Sequence, residues 1–166
     1  MKPTSGNTAT VPAEFIESSR TLLGCDYMPK LRTIVEMLSE DDIWWRPNEV
    51  SNSVGNMLLH MRGNLGQWIV SGAGGSPDDR DRPREFSERG PIPKADLMEK
   101  VERMAAQVDR VLADLREDIL LDRLKVQKFD VSHLHAIYHS IEHFGYHLGQ
   151  IAYVAKLRHG KDLGIF

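Results

Sequence analysis

The sequence has very little cysteine, no long apolar run and no concentration of basic charge. The lone Cys25 excludes an intrachain disulfide, and its setting in TLLGCDYM predicts a small buried residue rather than an activated thiol. No apolar run approaches the length that spans a bilayer. Lys and Arg number 21 against 24 Asp and Glu, and they are scattered. We therefore expect a cytoplasmic protein with neither a membrane nor a nucleic-acid partner.

Size and composition predict one folded domain. The chain has 166 residues, of which 41% are hydrophobic and 27% charged, as in soluble globular proteins. This length supports one core and is too short for two ordinary ones. Residues 1–12 are small and polar, so we expect a flexible N-terminal tail followed by a single domain over residues 13–166.

Apolar residues recur at three- and four-residue steps in four segments, which predicts an all-α fold. The helices are expected at about residues 13–38, at about 54–71, from about 93 to before or near 118, and from a cap at 130 or 132 to about 159. Ser51 or Ser53 can cap the second helix and Asp130 or Ser132 the fourth, which Gly160 should stop. No strand pattern competes with these helices.

Two features interrupt or join the helical segments. Pro29 lies inside the first apolar pattern, where it should kink the helix or open it locally, unless two shorter helices meet there. Residues 72–93 are rich in Gly, Pro and alternating charge and have no sustained period. They predict a long surface connection between the second and third helices.

The second helix carries an uncharged polar line. At about 100° per residue, Asn56, His60, Asn64 and Gln67 fall within an arc of about 80°. Solvent-facing helix surfaces usually carry Lys and Glu, so this line is expected to border an internal cavity or a subunit contact. His60 lies in its middle.

Two histidines in the fourth helix are the most informative residues of the chain. His143 and His147 are four residues apart and differ by about 40° in azimuth, so both rings can reach one ion. His60 from another helix would complete a set of three ligands and leave coordination positions open, as in catalytic rather than structural sites. His135 and His139 continue the same ladder but turn progressively away from the buried side.

Two other interpretations of these residues are open. The histidines could be ordinary core or surface residues of a bundle helix, which is the better explanation for any single histidine. His139, Glu142 and His143 also spell HxxEH, the inverted zinc-peptidase signature, with Glu142 as general base. The second is disfavoured because no Glu follows Glu142 to supply the downstream ligand of that fold.

The chain resembles the DinB/YfiT-like metalloenzyme family over most of its length. The resemblance is carried by WWRPNEVSNSVGNMLLHMRGN, which includes Asn56 and His60, and by EHFGYHLGQI, which includes His143, His147 and Gln150. It implies a four-helix bundle with one long crossover between helices 2 and 3, commonly a homodimer. It also implies that His60, His143 and His147 hold a divalent ion, zinc or nickel.

What the resemblance implies about the reaction is broader. Members of the family include thiol S-transferases that use bacillithiol and isomerases that use mycothiol. A metal-dependent transferase or hydrolase acting on a small molecule, such as a low-molecular-weight thiol, is therefore the first expectation for this chain. Asn56 and Gln150 are candidates for supporting the ligand histidines or contacting substrate. No catalytic acid or base is identified.

A second expectation belongs to a different functional class. The chain could be a non-catalytic helical module for dimerisation or small-ligand binding whose metal site is vestigial. The polar line of the second helix is compatible with either function. Turnover with low-molecular-weight thiols would separate the two expectations.

Overall fold

A computed structural model describes residues 10–165, which are mostly helical. The helices are α1 (Val11–Thr21), α2 (Met28–Met37), α3 (Glu40–Trp44), α4 (Val54–Leu65), α5 (Arg82–Ser87), α6 (Lys94–Ala113) and α7 (His133–His159). Two π-helical segments, Leu22–Tyr27 and Gly66–Ala73, join α1 to α2 and prolong α4, and a 3-10 turn spans Glu117–Ile119. Strands β1 (Arg123–Val126) and β2 (Phe129–Ser132) form an antiparallel hairpin.

The N-terminal segment is described only in part. Of the predicted tail, residues 1–9 lie outside the described residues. Thr10 caps α1 by accepting a hydrogen bond from the Ala13 amide, so Val11 and Pro12 already belong to the helix. Within residues 10–165 no helix has both the length and the apolar character needed to cross a membrane.

Pro29 opens the first helical run locally. The six residues from Leu22 to Tyr27 are π-helical, and α2 begins immediately afterwards with Pro29 in its first turn. Proline has no amide to donate and its ring would meet the carbonyl four residues earlier, so a wider turn before it relieves both problems. The changed register leaves Leu23 and Met28 buried but Cys25 exposed. The prediction of a buried Cys25 is therefore wrong.

The predicted helix ends are largely confirmed. Ser53 caps α4 in a capping box with Asn56, and Ser132 caps α7 by accepting from the His135 amide. Gly160 ends α7 with a φ of 64°, a left-handed conformation that suits glycine. Asp130, the other predicted cap, lies in β2 instead.

One large apolar cluster holds the long helices together. α4 packs against α6 and α7, and the first helical run contacts α6 and α7 as well. Leu58, Met61, Leu112 and Phe144 are among the fully buried side chains of this cluster. Each such side chain contributes about 1.5–3 kcal/mol to folding, so these contacts fix α4 and α7 side by side. That arrangement positions the histidines.

The hairpin corrects the prediction that the chain has no strands. Each strand has only four residues, too few for a clear alternating pattern in the sequence. Gln127 and Lys128 form the turn, with Gln127 at a φ of 55°. Val126 and Val131 pack with Trp68, which attaches the hairpin to the π-helical extension of α4.

The connection between residues 74 and 93 is more ordered than predicted. It contains α5, which packs against α4, and one of its carboxylates, that of Glu85, is buried. Between the first helical run and α4, the short helix α3 begins with a Ser39–Asp42 capping box. The Trp44 indole donates to the Ile92 carbonyl and so attaches α3 to the end of the connection.

Candidate metal centre

Three imidazoles from two helices converge on one point. His60 lies in the middle of α4, and His143 and His147 lie one turn apart on α7. Nε2 of His143 is 3.1 Å from Nε2 of His60 and 3.2 Å from Nε2 of His147. One nitrogen from each of the three residues lies within 4.8 Å of the others. The structure thus brings together the histidines that helical spacing predicts.

These distances fit a shared metal ion. Two imidazole nitrogens bound at about 2.0–2.1 Å with tetrahedral angles are about 3.3 Å apart, close to both measured separations. His60 is buried, whereas His143 and His147 are half-buried. A three-nitrogen set that remains partly accessible can leave coordination positions for another ligand.

The outer nitrogen of His60 is held by a buried ion pair. Nδ1 of His60 lies 2.8 Å from Oε2 of Glu85. Both carboxylate oxygens of Glu85 also accept from Arg80, at 2.7 and 2.9 Å, and the two side chains are only 9% and 4% exposed. Nη2 of Arg80 is also 3.0 Å from Nδ1. We assign the Nδ1 proton to the hydrogen bond with the ionised Glu85, the nearer neighbour, and this tautomer directs the Nε2 lone pair of His60 at the other two rings.

A second tether holds His147. Nδ1 of His147 lies 2.7 Å from Oε1 of Gln150, one turn farther along α7. The amide oxygen accepts the Nδ1 proton and leaves Nε2 as a lone-pair donor, as Glu85 does for His60. Nδ1 of His143 is buried and has no hydrogen-bond partner within residues 10–165.

Burial disfavours the protonated forms of His143 and His147 by lowering their pKa values. Burial, followed by the neighbouring His147 and His60, lowers the pKa of His143 to about 3. Burial also lowers the pKa of His147, although the hydrogen bond to Gln150 opposes this. Burial alone would raise the pKa of Glu85, but hydrogen bonds from Arg80 and His60 outweigh it and hold that pKa below its ordinary value. Neutral imidazoles beside an ionised carboxylate are the forms that bind metal ions.

Asn56 acts through the connection rather than on a histidine directly. Its Oδ1 accepts from the Ser53 amide and hydroxyl, and its Nδ2 donates to the carbonyls of Glu85 and Glu88 at 2.9 Å each. These bonds attach α5 to the start of α4. They thereby hold the Glu85 carboxylate against His60.

A glycine makes room for the buried ion pair. Gly63 lies one turn after His60 on α4, and a Cβ there would overlap Oε1 of Glu85 and crowd Nε of Arg80. The absent side chain lets the pair lie directly against the helix backbone. Gly63 is therefore a requirement for the position of this ion pair.

The remaining members of the histidine ladder lie outside the group of three. His139 is half-buried, with its ring centroid 4.3 Å from that of Trp68 and its Nε2 3.5 Å from the Asn64 amide. His135 is exposed. Glu142 is exposed as well, and it is not a member of the candidate metal-binding group among the described residues.

A comparison with known proteins identifies the family of this chain. The family model for a protein of unknown function, DUF1572, matches residues 11–165. The chain belongs to this family. DUF1572 is DinB-like, so the resemblance inferred from the sequence is confirmed at the level of the family.

Solved structures agree with this DinB-like assignment. A conserved protein from Enterococcus faecalis is similar with a TM-score of 0.74 at 17% identity, over 87% of this chain and 97% of that one. A DinB-like protein from Bacillus cereus is similar with a TM-score of 0.68 at 14% identity, over 95% and 99% of the two chains. At such identities the likeness concerns the fold alone. No curated protein matches the chain.

Two residues of this candidate site were missed in the sequence. Arg80 and Glu85 lie in the connection predicted to be a surface segment, yet their paired side chains are the most buried charges beside the histidines. The only local signal is an alternation of charge in RDRPREF, which is typical of solvated segments too. Neither residue could be assigned without knowing that α5 folds onto α4.

Proposed function

We propose that this chain binds a divalent metal ion, zinc or nickel, through Nε2 of His60, His143 and His147. The observation that carries the proposal is the convergence of three Nε2 atoms. The rings of His60 and His147 are also held in place by a side-chain oxygen within hydrogen-bond distance of Nδ1. Ordinary core histidines pair each buried nitrogen with a hydrogen-bonding group of another kind, whereas here the Nε2 atoms lie beside other Nε2 atoms, which suits a shared ion.

We further propose that the site is catalytic and belongs to a metal-dependent transferase or hydrolase for a small molecule, with thiol S-transfer as the leading reaction. A divalent ion in a three-histidine site supplies Lewis acidity and lowers the pKa of a water or thiol in its open position. Glu85 and Gln150 orient the ligand rings. Arg80 keeps Glu85 ionised, and Asn56 holds the segment that carries both residues.

The proposal extends to the architecture. We infer that the helical runs 11–37, 54–73, 94–113 and 133–159 form the four-helix bundle of DinB-like proteins, with residues 74–93 as the crossover. The contacts of α4 with α6 and α7 support this arrangement. A cytoplasmic location completes the proposal, supported by the single cysteine, which cannot form an intrachain disulfide.

Metal analysis of the purified protein tests the proposal. The chain is prepared without a histidine tag, dialysed with zinc or nickel, and compared with a His143→Ala/His147→Ala variant. The parent should retain about one ion per chain and the variant almost none. His135→Ala, on the same helix but exposed, is the matched control and should retain the ion. Equal retention by the parent and the double variant would contradict the proposal.

A second candidate function is a dimerisation or ligand-binding module without catalysis. The observation that favours it is a row of exposed apolar side chains along α7, where Tyr138, Tyr146, Tyr153 and Leu157 are 55–65% exposed. Such a stripe suits a homodimer contact, and the resemblance to DinB-like proteins also implies a homodimer. Light scattering gives the oligomeric state, and Tyr153→Glu/Leu157→Glu should dissociate a dimer built on this face.

Activity distinguishes the two candidates. The metal-loaded protein is incubated with a series of low-molecular-weight thiols and electrophilic acceptors, and loss of free thiol is followed with time. A metal-dependent transferase should show turnover that the His143→Ala/His147→Ala variant lacks. Dimerisation without turnover of any thiol would favour the module.

A further inference from the structure

A cleft of about 510 Å³ opens beside the three histidines. His60 and His143 form part of its wall, and the opposite side comes from the hairpin through residues 127–129 and 131. Any molecule in this cleft therefore lies against two of the three proposed ligand residues. We call it the cationic cleft, because of the side chains described next.

Charge in the cationic cleft has one sign. Arg80, Arg82 and Lys128 line it, and no Asp or Glu is among its lining residues within the described chain. Arg80 is neutralised by Glu85 behind it. Arg82 and Lys128, by contrast, have no carboxylate within 4.0 Å among residues 10–165, and each lies over an aromatic ring, at 5.0 and 5.6 Å from the ring centre. Two exposed cations without an ion-pair partner in the described part of the chain thus line one cleft.

A neighbouring groove shows that this charge distribution is specific to the cationic cleft. The groove between α4, α5 and α6 has a similar volume, about 550 Å³, and also contains Arg103 and Lys100. Its lining includes four carboxylates as well, those of Asp79, Asp81, Glu85 and Glu88. Positive side chains there are accompanied by negative ones, whereas in the cationic cleft they are not.

The cationic cleft also has an aromatic wall. Phe129 is 43% exposed although it is aromatic, and its ring centre is 5.9 Å from that of the buried Trp68. Along β2, Phe129 and Val131 line the cleft, while the alternate residue Asp130 pairs with Arg123. The strand period therefore directs its apolar side chains into the cleft and its carboxylate away.

The hairpin is fixed to the site rather than free to drift. The Gln127 side chain at the turn donates to Oε1 of Gln67, and the same oxygen accepts from Arg80 at 2.9 Å. The hairpin turn, Arg80 and His60 thus belong to one hydrogen-bonded unit. A preformed cleft loses little entropy when it binds a ligand.

We propose that the cationic cleft binds a small organic anion with a planar apolar part, which would be the substrate class of the metal centre. Arg82 and Lys128 would bind the anionic group, and Trp68 and Phe129 would contact the planar part. The proposal that this anion is a substrate rests on the proposed function of the metal centre. The binding itself needs only the cleft.

Calorimetric titration with 1-naphthylacetate and its neutral amide, 1-naphthylacetamide, tests the proposal. The acid should bind the metal-loaded protein about tenfold or more tightly than the amide, because one charge-assisted contact contributes that much. Arg82→Gln/Lys128→Gln should weaken binding of the acid about tenfold and leave that of the amide unchanged. Lys100→Gln, in the neighbouring groove, is the matched control and should leave both unchanged.

The same titration on the His143→Ala/His147→Ala variant separates the two proposals. The acid should still bind this variant, because its anionic group is bound by Arg82 and Lys128. If the parent held no metal but discriminated the acid from the amide, the proposed function would fail and the cleft assignment would stand. Equal affinity for acid and amide, no binding at millimolar concentration, or loss of binding only with the histidines would overturn the assignment. Circular dichroism confirms that each variant is folded.

Discussion

The two sides of the candidate metal centre come from parts of the chain with opposite character. α4 and α7 supply the three histidines from long, regular, well-packed helices. Residues 74–93 supply Arg80 and Glu85 from a segment rich in Gly, Pro and charge. The ligand atoms thus depend on helix geometry, whereas the group that orients His60 depends on long-range hydrogen bonds from Asn56. In the proposed metal site, the positions of the three histidines and the orientation of His60 are therefore encoded by different parts of the chain.

Removing the buried guanidinium of Arg80 should cause the largest loss of stability among these changes. Arg80→Met leaves the Glu85 carboxylate buried without its charge partner, so the free energy of unfolding should fall by about 3–5 kcal/mol. Urea denaturation measures this change. Arg84→Met, on the exposed side of α5, is the control and should stay within about 0.5 kcal/mol of the parent. Equal stability of the two variants would contradict the prediction that the buried Arg80 contributes more to stability than the exposed Arg84.

A more conservative change tests whether the connection adjusts metal binding. Glu85→Gln keeps an oxygen for Arg80 but weakens the acceptor for Nδ1 of His60, so metal affinity should fall about 10–100-fold. Competition with a chelator measures the affinity. Glu88→Gln is matched in chemistry and segment, but the Glu88 carboxylate accepts from the Arg89 and Gly90 amides instead. If both variants bound metal equally well, Glu85 would have no orienting role.

The contact between α4 and the connection can be tested from the helix side. Gly63→Ala adds a methyl group where Glu85 and Arg80 lie, so it should destabilise the protein by about 1–3 kcal/mol despite the better helix propensity of alanine. Gly149→Ala, where the added methyl meets nothing within 4 Å, should instead stabilise it by about 0.5–1 kcal/mol. Thermal and urea unfolding measure both. A stabilised Gly63→Ala variant would show that Glu85 and Arg80 can shift without loss of stability.

The smallest expected change in stability concerns a second buried carboxylate, that of Asp42, which lies outside the candidate metal centre. Burial would raise the pKa of Asp42, but hydrogen bonds from Ser39 and Arg158 outweigh it and lower that pKa. The stability it contributes is therefore present above the ordinary Asp pKa of about 3.9 and is lost as the pH falls further.

Asp42→Asn should accordingly cost about 1 kcal/mol at pH 7 and leave metal affinity unchanged. The difference in unfolding free energy between parent and variant should shrink as the pH is lowered below about 4. Urea titrations across this range measure it. A constant difference at all pH values would contradict the assigned role of the Asp42 carboxylate.

The histidines were predictable because helix period relates positions that are near in sequence. The i, i+4 spacing of His143 and His147 relates two positions on one helix, whereas the addition of His60 rests on its uncharged polar line and on the resemblance to DinB-like proteins. The helix ends at Ser53, Ser132 and Gly160 were predictable for the same reason, since caps are local.

Other features depend on contacts that no local pattern encodes. Burial of Glu85 requires Arg80, Asn56 and the absent side chain of Gly63 at once, and these come from two distant parts of the chain. The hairpin strands are too short to show alternation, and they form by packing on Trp68. The outward position of Cys25 follows from a π-helical register that a regular period does not predict.

Crystallographic anomalous scattering tests the central claim most directly. Crystals of the tag-free protein, grown with zinc and with nickel, are measured on both sides of each metal edge. The account predicts one strong anomalous peak about 2.0–2.2 Å from Nε2 of His60, His143 and His147. An absent peak, or one bound by other residues while these three nitrogens share no ion, would contradict it.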